Sequence, residues 1–574
     1  MAFIPNLRSR VQAVESFSYI DNLFDYGAFI QGATEAIGII PAAQQNAPIA
    51  VIGTGIAGLS AAYELLRAGA RNVVIYEATG RLGGRTWSAN FASAPANFYA
   101  ELGAMRFPPS EFGLFTYLNR FHIPYASNFP DPGKVDTNIG YQGKTYDWPV
   151  GGNPPAIFNT VNAGWNAFVA QGFQVPNGPK LMAPVAITTL LQQRNFAAAQ
   201  AAWQQYIDVF ENVSFYNGLV QMFTSANPPG GTPWQLPGDF QLFGALGLGS
   251  GGFGPLYSIG FLELVRLIVD ELETDQQFVP GGIQSLATAF SNQTINGAPI
   301  SARIRYNTEV VGVTSPGPGK PVTLLLSNGT APQYSRVVIA TSNRAMQIDL
   351  GLSKSAGLIS ANQNSALNQV HMTSSSKVFV LTRNKFWLTN PGLPANIQTD
   401  TLVRGVYCLD YTPGNPQDPG VVLLSYTWED DSIKQMAMGS NQARVQELVA
   451  DVALTNPEFA QYVVPINGDY NGNCVIIDWD EQAHYYGAFK LNFPGDDGLS
   501  QALFFQYLAC LTPQTDTGVY LAGDSLSFTG GWIEGAVQTG VNAACAVIKA
   551  LGGSMYTRLN PVDTPQQNAY NYYP

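Results

Sequence analysis

The residues best suited to chemistry in this chain of 574 residues are three closely spaced glycines and an acidic residue that follows them. Gly53, Gly55 and Gly58 form the pattern GxGxxG. In that pattern the first glycine permits a tight turn, the second lets the backbone approach a pyrophosphate, and the third allows close packing of helix on strand. Glu77 follows at close to the ~20-residue spacing of a carboxylate that binds a ribose hydroxyl, and it would repel a 2′-phosphate. The pattern predicts a dinucleotide site for NAD or FAD; the alternative is a glycine-rich turn with no ligand.

The elements that must position this turn lie on both sides of it. Residues 49–52 are apolar and predict a buried strand, residues 59–68 predict a helix that Gly69 ends, and residues 73–76 predict a second strand that leads to Glu77. These three elements make one βαβ unit.

Further strand patterns occur at 303–306, 310–313, 322–326 and 336–341, and an Asn-Gly turn at 328–329 predicts a β-meander that returns to a buried strand. Another strand pattern occurs at 518–524, before a helix over 535–550. We therefore predict one nucleotide-binding sheet assembled from three separate segments. Two long insertions lie between them, with helical stretches at 190–213 and strands at 377–381 and 421–426. The fold class is α/β, or α+β multi-domain: a Rossmann-like domain built from discontinuous segments, a mixed-sheet domain and a helical domain.

The composition excludes several classes of function. Lys and Arg number 28 against 40 Asp and Glu, so the net charge of −12 gives no surface for nucleic acid or anionic lipid. The uncharged stretches 37–63 and 245–262 are interrupted by proline, glycine or polar residues, so no membrane span is predicted. Three scattered histidines predict no metal site. The four cysteines have no CxxC pattern, and we interpret them as buried thiols.

Two further segments indicate where the rest of a dinucleotide would bind. Gly83, Gly84 and Arg85 follow Glu77 in a flexible basic loop that could hold a second phosphate; the alternative is a solvated loop. Asp524 ends a predicted strand, where its carboxylate could bind a polyol chain. The segment 530–536 then opens a helix whose N-terminal amides would favour the anionic reduced ring of a flavin.

The combination of VIGTGIAGLSAAYEL, IYEATGRLGGRT, LAGD and GGWIEGAVQTG resembles the flavin monoamine oxidase superfamily, in the expected order along the chain. The segment ELGAMRF at 101–107 resembles its L-amino-acid oxidase branch. Segments around 251–252, 375–377, 424–428 and 487–490 look closest to the bacterial oxidase/monooxygenases of tryptophan, phenylalanine and lysine. The resemblance implies bound FAD. It also implies that Arg106 grips a substrate carboxylate, the alternative being a salt bridge to the flavin or on the surface.

The resemblance implies roles for three other side chains. Lys377 matches a lysine that contacts the flavin N5 atom through water and assists the reaction with oxygen; the alternative is a surface lysine. Trp532 and Phe489 match two aromatic walls around the substrate, although Phe489 could equally be ordinary core. Where covalently flavinylated relatives carry a cysteine, this chain has Ala488, so noncovalent FAD is expected. The full set of residues expected to contact FAD is Gly53, Gly55, Ile56, Ala57, Gly58, Glu77, Ala78, Gly83, Gly84, Arg85, Gly103, Ala104, Met105, Arg106, Val311, Gly523, Asp524, Gly531, Trp532 and Ile533.

These assignments predict the domains: an N-terminal arm at 1–45; an FAD-binding domain at 46–90, 276–345 and 511–555; a substrate-binding domain at 91–150 and 346–510; a helical domain at 151–275; and a C-terminal tail at 556–574. The last residues of the tail, 568–574, are expected to be disordered. The arm carries Phe17, Tyr19, Ile20, Leu23 and Phe24, which favours a homodimer or higher homo-oligomer, or an arm that folds back on its own subunit. Arginines that follow the first apolar run favour a cytoplasmic location and leave open a secreted protein whose leader was removed.

The expected reaction is oxidative deamination of an L-amino acid to a 2-oxo acid, ammonia and hydrogen peroxide, with molecular oxygen as acceptor and some oxidative decarboxylation to an amide. Phe253, Leu256 and Tyr257 favour a neutral apolar or aromatic substrate that Trp428 would enclose, whereas the acids at 429–431 would suit a cationic one. The alternatives are an amine or polyamine oxidase, an amino-acid 2-monooxygenase, a protein whose flavin is structural, and an antibacterial source of peroxide.

Overall fold

A computed structural model describes residues 24–33, 35–248, 252–355, 357–510 and 512–563. Most of the apolar N-terminal arm and the C-terminal residues predicted to be disordered lie outside these ranges. Phe24, the described member of the arm set, is buried against Tyr26 and Phe29. Cys408, Cys474 and Cys545 are buried free thiols, as predicted, and the side chain of Cys510 lies outside the described part.

A five-stranded sheet, here called the parallel sheet, carries the glycine-rich turn. Every adjacent pair of its strands is parallel, and the strands come from distant parts of the chain. Their order in the sheet is Ile304–Arg305, Val73–Tyr76, Ile49–Ile52, Arg336–Ile339 and Val519–Leu521. The central strand Ile49–Ile52 and the edge strand Val519–Leu521 are buried along their whole length, which explains their continuous apolar sequence. The predicted α/β class and discontinuous Rossmann-like sheet are confirmed.

Two helices cover one face of the parallel sheet. The helix Ile56–Arg67 begins directly after the glycine-rich turn, and Ile533–Ala550 packs along it. Gly69 ends the first helix as predicted, at φ +105°, where the Gly69 and Ala70 amides donate to the Leu66 and Leu65 carbonyls.

The predicted meander forms a separate three-stranded antiparallel sheet, Val310–Thr314, Val322–Leu326 and Gln333–Tyr334. Its last strand leads directly into Arg336–Ile339 of the parallel sheet. This small sheet closes the edge of the cavity described below.

The larger insertions form a seven-stranded mixed sheet. Its order is Cys474–Asp478, Ser375–Thr382, Gly420–Trp428, Gly405–Leu409, Asn396–Thr399, Thr137–Tyr141 and Lys144–Trp148, with one parallel pair between the fifth and sixth strands. Ser375–Thr382 and Gly420–Trp428 are buried almost throughout, with Lys377 directly opposite Tyr426. The predicted mixed sheet is confirmed.

Residues 151–275 form mainly helices, here called the helical layer, around an aromatic core that includes Trp165, Trp203 and Phe261. The helical stretches predicted at 190–213 form two helices, because a break at Gln193–Asn195 divides the segment. Arg194 there has φ +58°, which a continuing helix does not allow. The helices of the layer are Asn159–Gln171, Pro184–Gln192, Phe196–Phe210, Phe215–Phe223, Gly238–Leu246 and Phe261–Val269.

The remaining α-helices are shorter connections or cover the outer faces: Tyr26–Gly32, Phe112–Arg120, Gln284–Asn292, Asn343–Ile348, Ala361–Gln369, Phe386–Thr389, Asp430–Met436, Asn441–Thr455, Pro457–Tyr462 and Asp497–Phe504. The remaining two- and three-residue strands form pairs at Gly38–Ile39 with Ser554–Met555, Ser88–Asn90 with Tyr99–Glu101, Phe173–Gln174 with Lys180–Leu181, Thr294–Ile295 with Ala298–Pro299, and Met372–Thr373 with Phe489–Lys490. Among the described residues, none of the helices has the length and apolar character needed to cross a membrane.

Candidate active site

One cavity between the parallel sheet, the seven-stranded sheet and the helical layer brings together nearly all of the predicted site residues. Its wall includes the glycine-rich turn and an aromatic chamber. This chamber is the part of the cavity lined by Arg106, Lys377 and the aromatic residues Phe253, Trp428, Phe489 and Trp532. The predicted residues that line it are Gly53, Gly55, Ile56, Ala57, Glu77, Ala78, Gly83, Gly84, Arg85, Gly103, Ala104, Met105, Arg106, Lys377, Trp428, Phe489, Gly523, Asp524, Gly531, Trp532 and Ile533.

The glycine-rich turn has the geometry that a dinucleotide requires. A Cβ on Gly53 would lie 2.5 Å from the Ala340 carbonyl oxygen, and Gly53 has φ +103°. Gly58 does not line the cavity; its Cβ would lie 2.1 Å from the Gly53 carbonyl oxygen, so its absence allows the helix to approach the turn. A Cβ on Gly55 would meet no atom within 4 Å and would point into free space beside the cavity. These observations fit a bound pyrophosphate beside Gly55.

The following loop packs against this turn just as closely. Gly84 has φ +61°, and a Cβ there would lie 3.1 Å from the Gly55 Cα atom. A Cβ on Gly103 would lie 1.7 Å from the Arg85 carbonyl oxygen. Gly103, Ala104 and Met105 thereby form a wall of the cavity with little side-chain bulk near the loop.

Glu77 lies in the wall at the nucleotide end and already accepts four hydrogen bonds from the protein. One carboxylate oxygen accepts from the amide and hydroxyl of Thr54 at 3.0 and 2.6 Å, and the other from those of Thr79 at 3.0 and 2.7 Å. Glu77 therefore fixes the two loops, and a ribose hydroxyl would have to share or replace a threonine hydroxyl to bind it.

Arg85 and Asp524, predicted to bind a phosphate and a polyol, form an ion pair with each other. Arg85 Nη1 lies 3.1 Å from Asp524 Oδ2 and donates to the Ala488 carbonyl oxygen at 2.8 Å. Both side chains line the cavity, so the pair joins the nucleotide loop to the last strand of the parallel sheet.

The prediction for Val311 is corrected by one residue. A β-bulge leaves Val311 without a partner between the pairs Val310–Leu326 and Gly312–Leu325. Because the extra residue shifts the alternation of side chains, Val310 is buried and lines the cavity while Val311 is 37% exposed.

The start of the last helix borders the cavity at the flavin end predicted from the sequence. Trp532 is the N-cap residue and Ile533 the first helical residue. Glu111 accepts a hydrogen bond from the Glu534 amide at 2.9 Å, whereas its buried Oε1 has no partner among the described residues. Burial, followed by the nearby Glu534 carboxylate, raises the pKa of Glu111 well above its usual value. A buried polar oxygen without a partner in the cavity wall fits a site completed by a polar ligand such as FAD.

Arg106 lines the cavity, and its guanidinium forms a bidentate ion pair that the sequence did not predict. Nη1 and Nη2 lie 3.1 and 3.2 Å from the two carboxylate oxygens of Glu273. Trp532 stacks beneath the guanidinium, with its ring centre 5.3 Å from Cζ. Burial acts to lower the pKa of Arg106, but the Glu273 carboxylate outweighs it, so the pKa is raised and the side chain stays charged. The surface alternative is excluded.

Lys377 is also buried, which excludes its surface alternative. Its ammonium nitrogen donates to the Gly103 carbonyl oxygen at 2.6 Å and the Glu101 carbonyl oxygen at 3.1 Å. The Tyr426 ring lies 4.7 Å away. Burial lowers the pKa of Lys377 to about 7, and the positive charge of Arg106 adds to the effect.

Aromatic and apolar side chains enclose the space beside Arg106 and Lys377. Phe489 and Trp532 both line it, as predicted, and Trp428 stands 6.2 Å from Phe253, between ring centres. The wall is completed by Leu256, Leu267, Tyr426, Trp479 and Leu491. Tyr257 was expected here but does not line the cavity and instead hydrogen-bonds the Phe240 carbonyl.

The acids considered for a cationic substrate point elsewhere. Glu429 lies 2.9 Å from His371, Asp430 pairs with Lys434, and Asp431 pairs with Arg404. Glu263 is buried in ion pairs with Arg266 and Lys490. None of these four acids lines the cavity. The described wall around Arg106 and Lys377 therefore carries aromatic and apolar side chains rather than these acids.

Sequence reasoning missed Tyr426, Trp479 and Glu273. The first had a signal: Tyr426 lies two residues before Trp428, so both point to one face of their strand. Glu273 had none, because it comes from the loop after Phe261–Val269, the last helix of the helical layer, and meets Arg106 only through the tertiary fold.

Comparisons with known proteins agree with this geometry. The family model described as flavin containing amine oxidoreductase matches residues 56–548. The chain is 46% identical to tryptophan 2-monooxygenase of Pseudomonas savastanoi, over 95% of this chain and 97% of that protein. It is 46% identical to the enzyme of the same name from Pantoea agglomerans pv. gypsophilae, over 96% and 98%. A solved structure of a putrescine oxidase triple mutant shares the fold, with a TM-score of 0.61, 18% identity, and 88% of this chain and 99% of that chain covered. FAD is the cofactor that this family implies for the protein. The predicted family is thus confirmed, and this chain belongs to the flavin containing amine oxidoreductases.

Proposed function

We propose that this protein is an FAD-dependent L-amino-acid 2-monooxygenase that acts on an aromatic amino acid, with tryptophan as the first substrate to test. The observation that carries the proposal is the placement of Arg106 and Lys377 among aromatic side chains in the same cavity as the glycine-rich turn. The names of the relatives with 46% identity support the monooxygenase reading over deamination to a 2-oxo acid.

The chain's own side chains would bind and orient the substrate. Arg106 would bind the α-carboxylate, while Phe489, Trp428 and Phe253 would hold an aromatic side chain and exclude water. Bound FAD supplies the oxidation of the Cα–N bond and the transfer of electrons to oxygen. Lys377, at the chamber wall, would hold a proton beside the reacting centre. The balanced reaction takes up one O₂ and converts the amino acid to an amide with one carbon fewer, CO₂ and water.

An anaerobic panel of the twenty amino acids tests the proposal. Tryptophan or another aromatic amino acid is expected to bleach the flavin, and after admission of oxygen mass spectrometry is expected to find the amide. A 2-oxo acid with equimolar ammonia and peroxide would instead make the protein an L-amino-acid oxidase. A flavin that no amino acid bleaches would contradict both readings.

Arg106→Ala separates amino-acid from amine oxidation. The variant is expected to lose roughly 100-fold or more in kcat/KM for the amino acid, because the substrate is no longer oriented. Turnover of the matching arylalkylamine, which lacks a carboxylate, should change little. Equal losses for the two compounds would contradict a carboxylate-binding role.

A further inference from the structure

Arg106 meets a carboxylate of the protein itself at the place where the proposed substrate would present one. Glu273 is 5% exposed in its side chain, lines the cavity and engages both terminal nitrogens of the guanidinium. In the described part of the chain, Arg106 Nε has no hydrogen-bond partner. The side edge of the guanidinium is therefore available to a second carboxylate.

Glu273 is fixed rather than free to leave. Its loop is joined to the segment that carries Arg106, because Phe107 and Gln277 exchange two backbone hydrogen bonds of 2.8 Å. Lys134 lies 2.9 Å from Asp275 on the same loop. A ligand carboxylate on Arg106 would consequently lie close to the negative charge of Glu273.

Burial also shifts the pKa of the other ionisable groups near the chamber. Burial raises the pKa of Glu101 and of Asp131 to about 7 and that of Glu111 well above its usual value, while it lowers the pKa of Lys377 to about 7. Arg106 and Glu273 form a buried ion pair whose opposite charges compensate each other. A ligand with a net charge is penalised in such a buried, neutral chamber, and a zwitterion is not.

We infer that Glu273 is a specificity-determining residue that makes the chamber select zwitterionic amino acids over simple carboxylate anions. The inference rests on the proposed function, since it takes Arg106 as the site of the substrate carboxylate. It predicts that 2-oxo acids and arylalkanoates bind poorly although they carry the group that Arg106 recognises.

Ligand binding to the oxidised holoenzyme, followed by perturbation of the flavin absorbance, tests the inference without turnover. The probes are 3-phenylpropionate and its neutral amide, 3-phenylpropanamide. Glu273→Gln is expected to strengthen binding of the acid roughly 10-fold or more, because a like charge a few ångströms away is removed, and to leave the amide unchanged. Asp275→Asn, which removes a carboxylate from the same loop, should leave the acid-to-amide ratio of affinities at the wild-type value.

Weaker or unchanged binding of the acid in Glu273→Gln would overturn the inference, because Glu273 would then position Arg106 or be neutral to the ligand. The double variant Glu273→Gln with Arg106→Gln covers the case in which an unpaired arginine distorts the single variant. It should bind the acid no better than the amide, and a persistent preference for the acid would also overturn the inference. If neither probe perturbs the wild-type flavin, the proposed amino-acid chamber itself fails.

Discussion

Lys377 brings an ammonium group into a strand whose residues are all buried, and the cost of that burial indicates a role in the reaction. Its pKa of about 7 leaves it largely charged below pH 7 and largely neutral above. Since reduction of oxygen develops negative charge, the charged form should favour the step. We expect the rate at which reduced enzyme reacts with oxygen to fall as the pH rises, with a break at about pH 7 or higher.

Lys377→Met should slow this oxidative half-reaction roughly 100- to 1000-fold and remove the break. Stopped-flow mixing of pre-reduced enzyme with oxygen measures the rate without interference from the substrate amine. Lys549→Met, at a lysine paired with Asp563 on the surface, is the matched control and should behave as wild type. A break that persists in Lys377→Met would assign it to another group.

The positions of individual side chains were predictable where a local motif sets them, and not where a bulge or a distant partner does. Gly53, Glu77 and Arg85 follow one another in short motifs, so local sequence places them in one wall. Val311 was misplaced because a bulge cannot be read from alternation. No sequence pattern pointed to Glu273, because Arg106, with which it forms the ion pair, lies 167 positions away in the chain.

At the scale of elements, the segment 103–106 is positioned by the close approach of Gly103 to the Arg85 backbone, which leaves no room for a side chain at position 103. A Cβ on Gly103 would lie 1.7 Å from the Arg85 carbonyl oxygen. Gly103→Ala should therefore displace the wall that carries Arg106 and reduce both FAD content and stability, the latter by roughly 1–3 kcal/mol. Flavin absorbance per chain and thermal unfolding measure the two effects.

Gly281→Ala is the control for that substitution, because its Cβ would meet no atom within 4 Å. It should retain full flavin content. Full flavin content in Gly103→Ala as well would show that the two loops can separate without loss of the site.

A cluster of buried ion pairs joins the helical layer to the aromatic chamber. Lys490, next to Phe489, is fully buried and lies 3.5 Å from Glu263, while Arg266 binds both Glu263 and Asp497. Removing one member leaves buried charge unbalanced, so Lys490→Met should destabilise the protein by about 3–5 kcal/mol.

Adding Glu263→Gln to Lys490→Met should restore part of that loss, since the two charges are removed together. Denaturant unfolding of the single and double variants gives the coupling energy. Lys434→Met, at an exposed lysine paired with Asp430, should cost at most about 1 kcal/mol. Additive losses at Lys490 and Glu263 would mean that the pair is not coupled.

Over the whole molecule, the class of fold was more predictable than its assembly. The βαβ unit and the meander have strong local patterns, and both form as predicted. The boundary between the two helices at 190–213 was not located in advance, although residues 192–195 are all polar. The assembly of the molecule was not predictable in the same way. The seven-stranded sheet and the helical layer meet over the parallel sheet through pairings between distant residues, and no local sequence pattern encodes such pairings.

Because the cavity is built from all three of these bodies, FAD should stabilise the whole chain and should be released when the chain unfolds. The position occupied by cysteine in covalently flavinylated relatives is Ala488 here, and no cysteine lines the described cavity. Acid precipitation should leave all yellow colour in the supernatant. The apoprotein should unfold at a lower temperature than the holoprotein. The free energy by which FAD stabilises the folded protein should grow with the concentration of free FAD, to about 4 kcal/mol at 1000 times Kd. FMN, which lacks the adenylate half, is the matched ligand control and should stabilise far less, because it cannot reach the turn at Gly55. Colour retained in the precipitate would show a covalent bond, and equal stabilisation by FMN would show that the glycine-rich turn contributes nothing to binding.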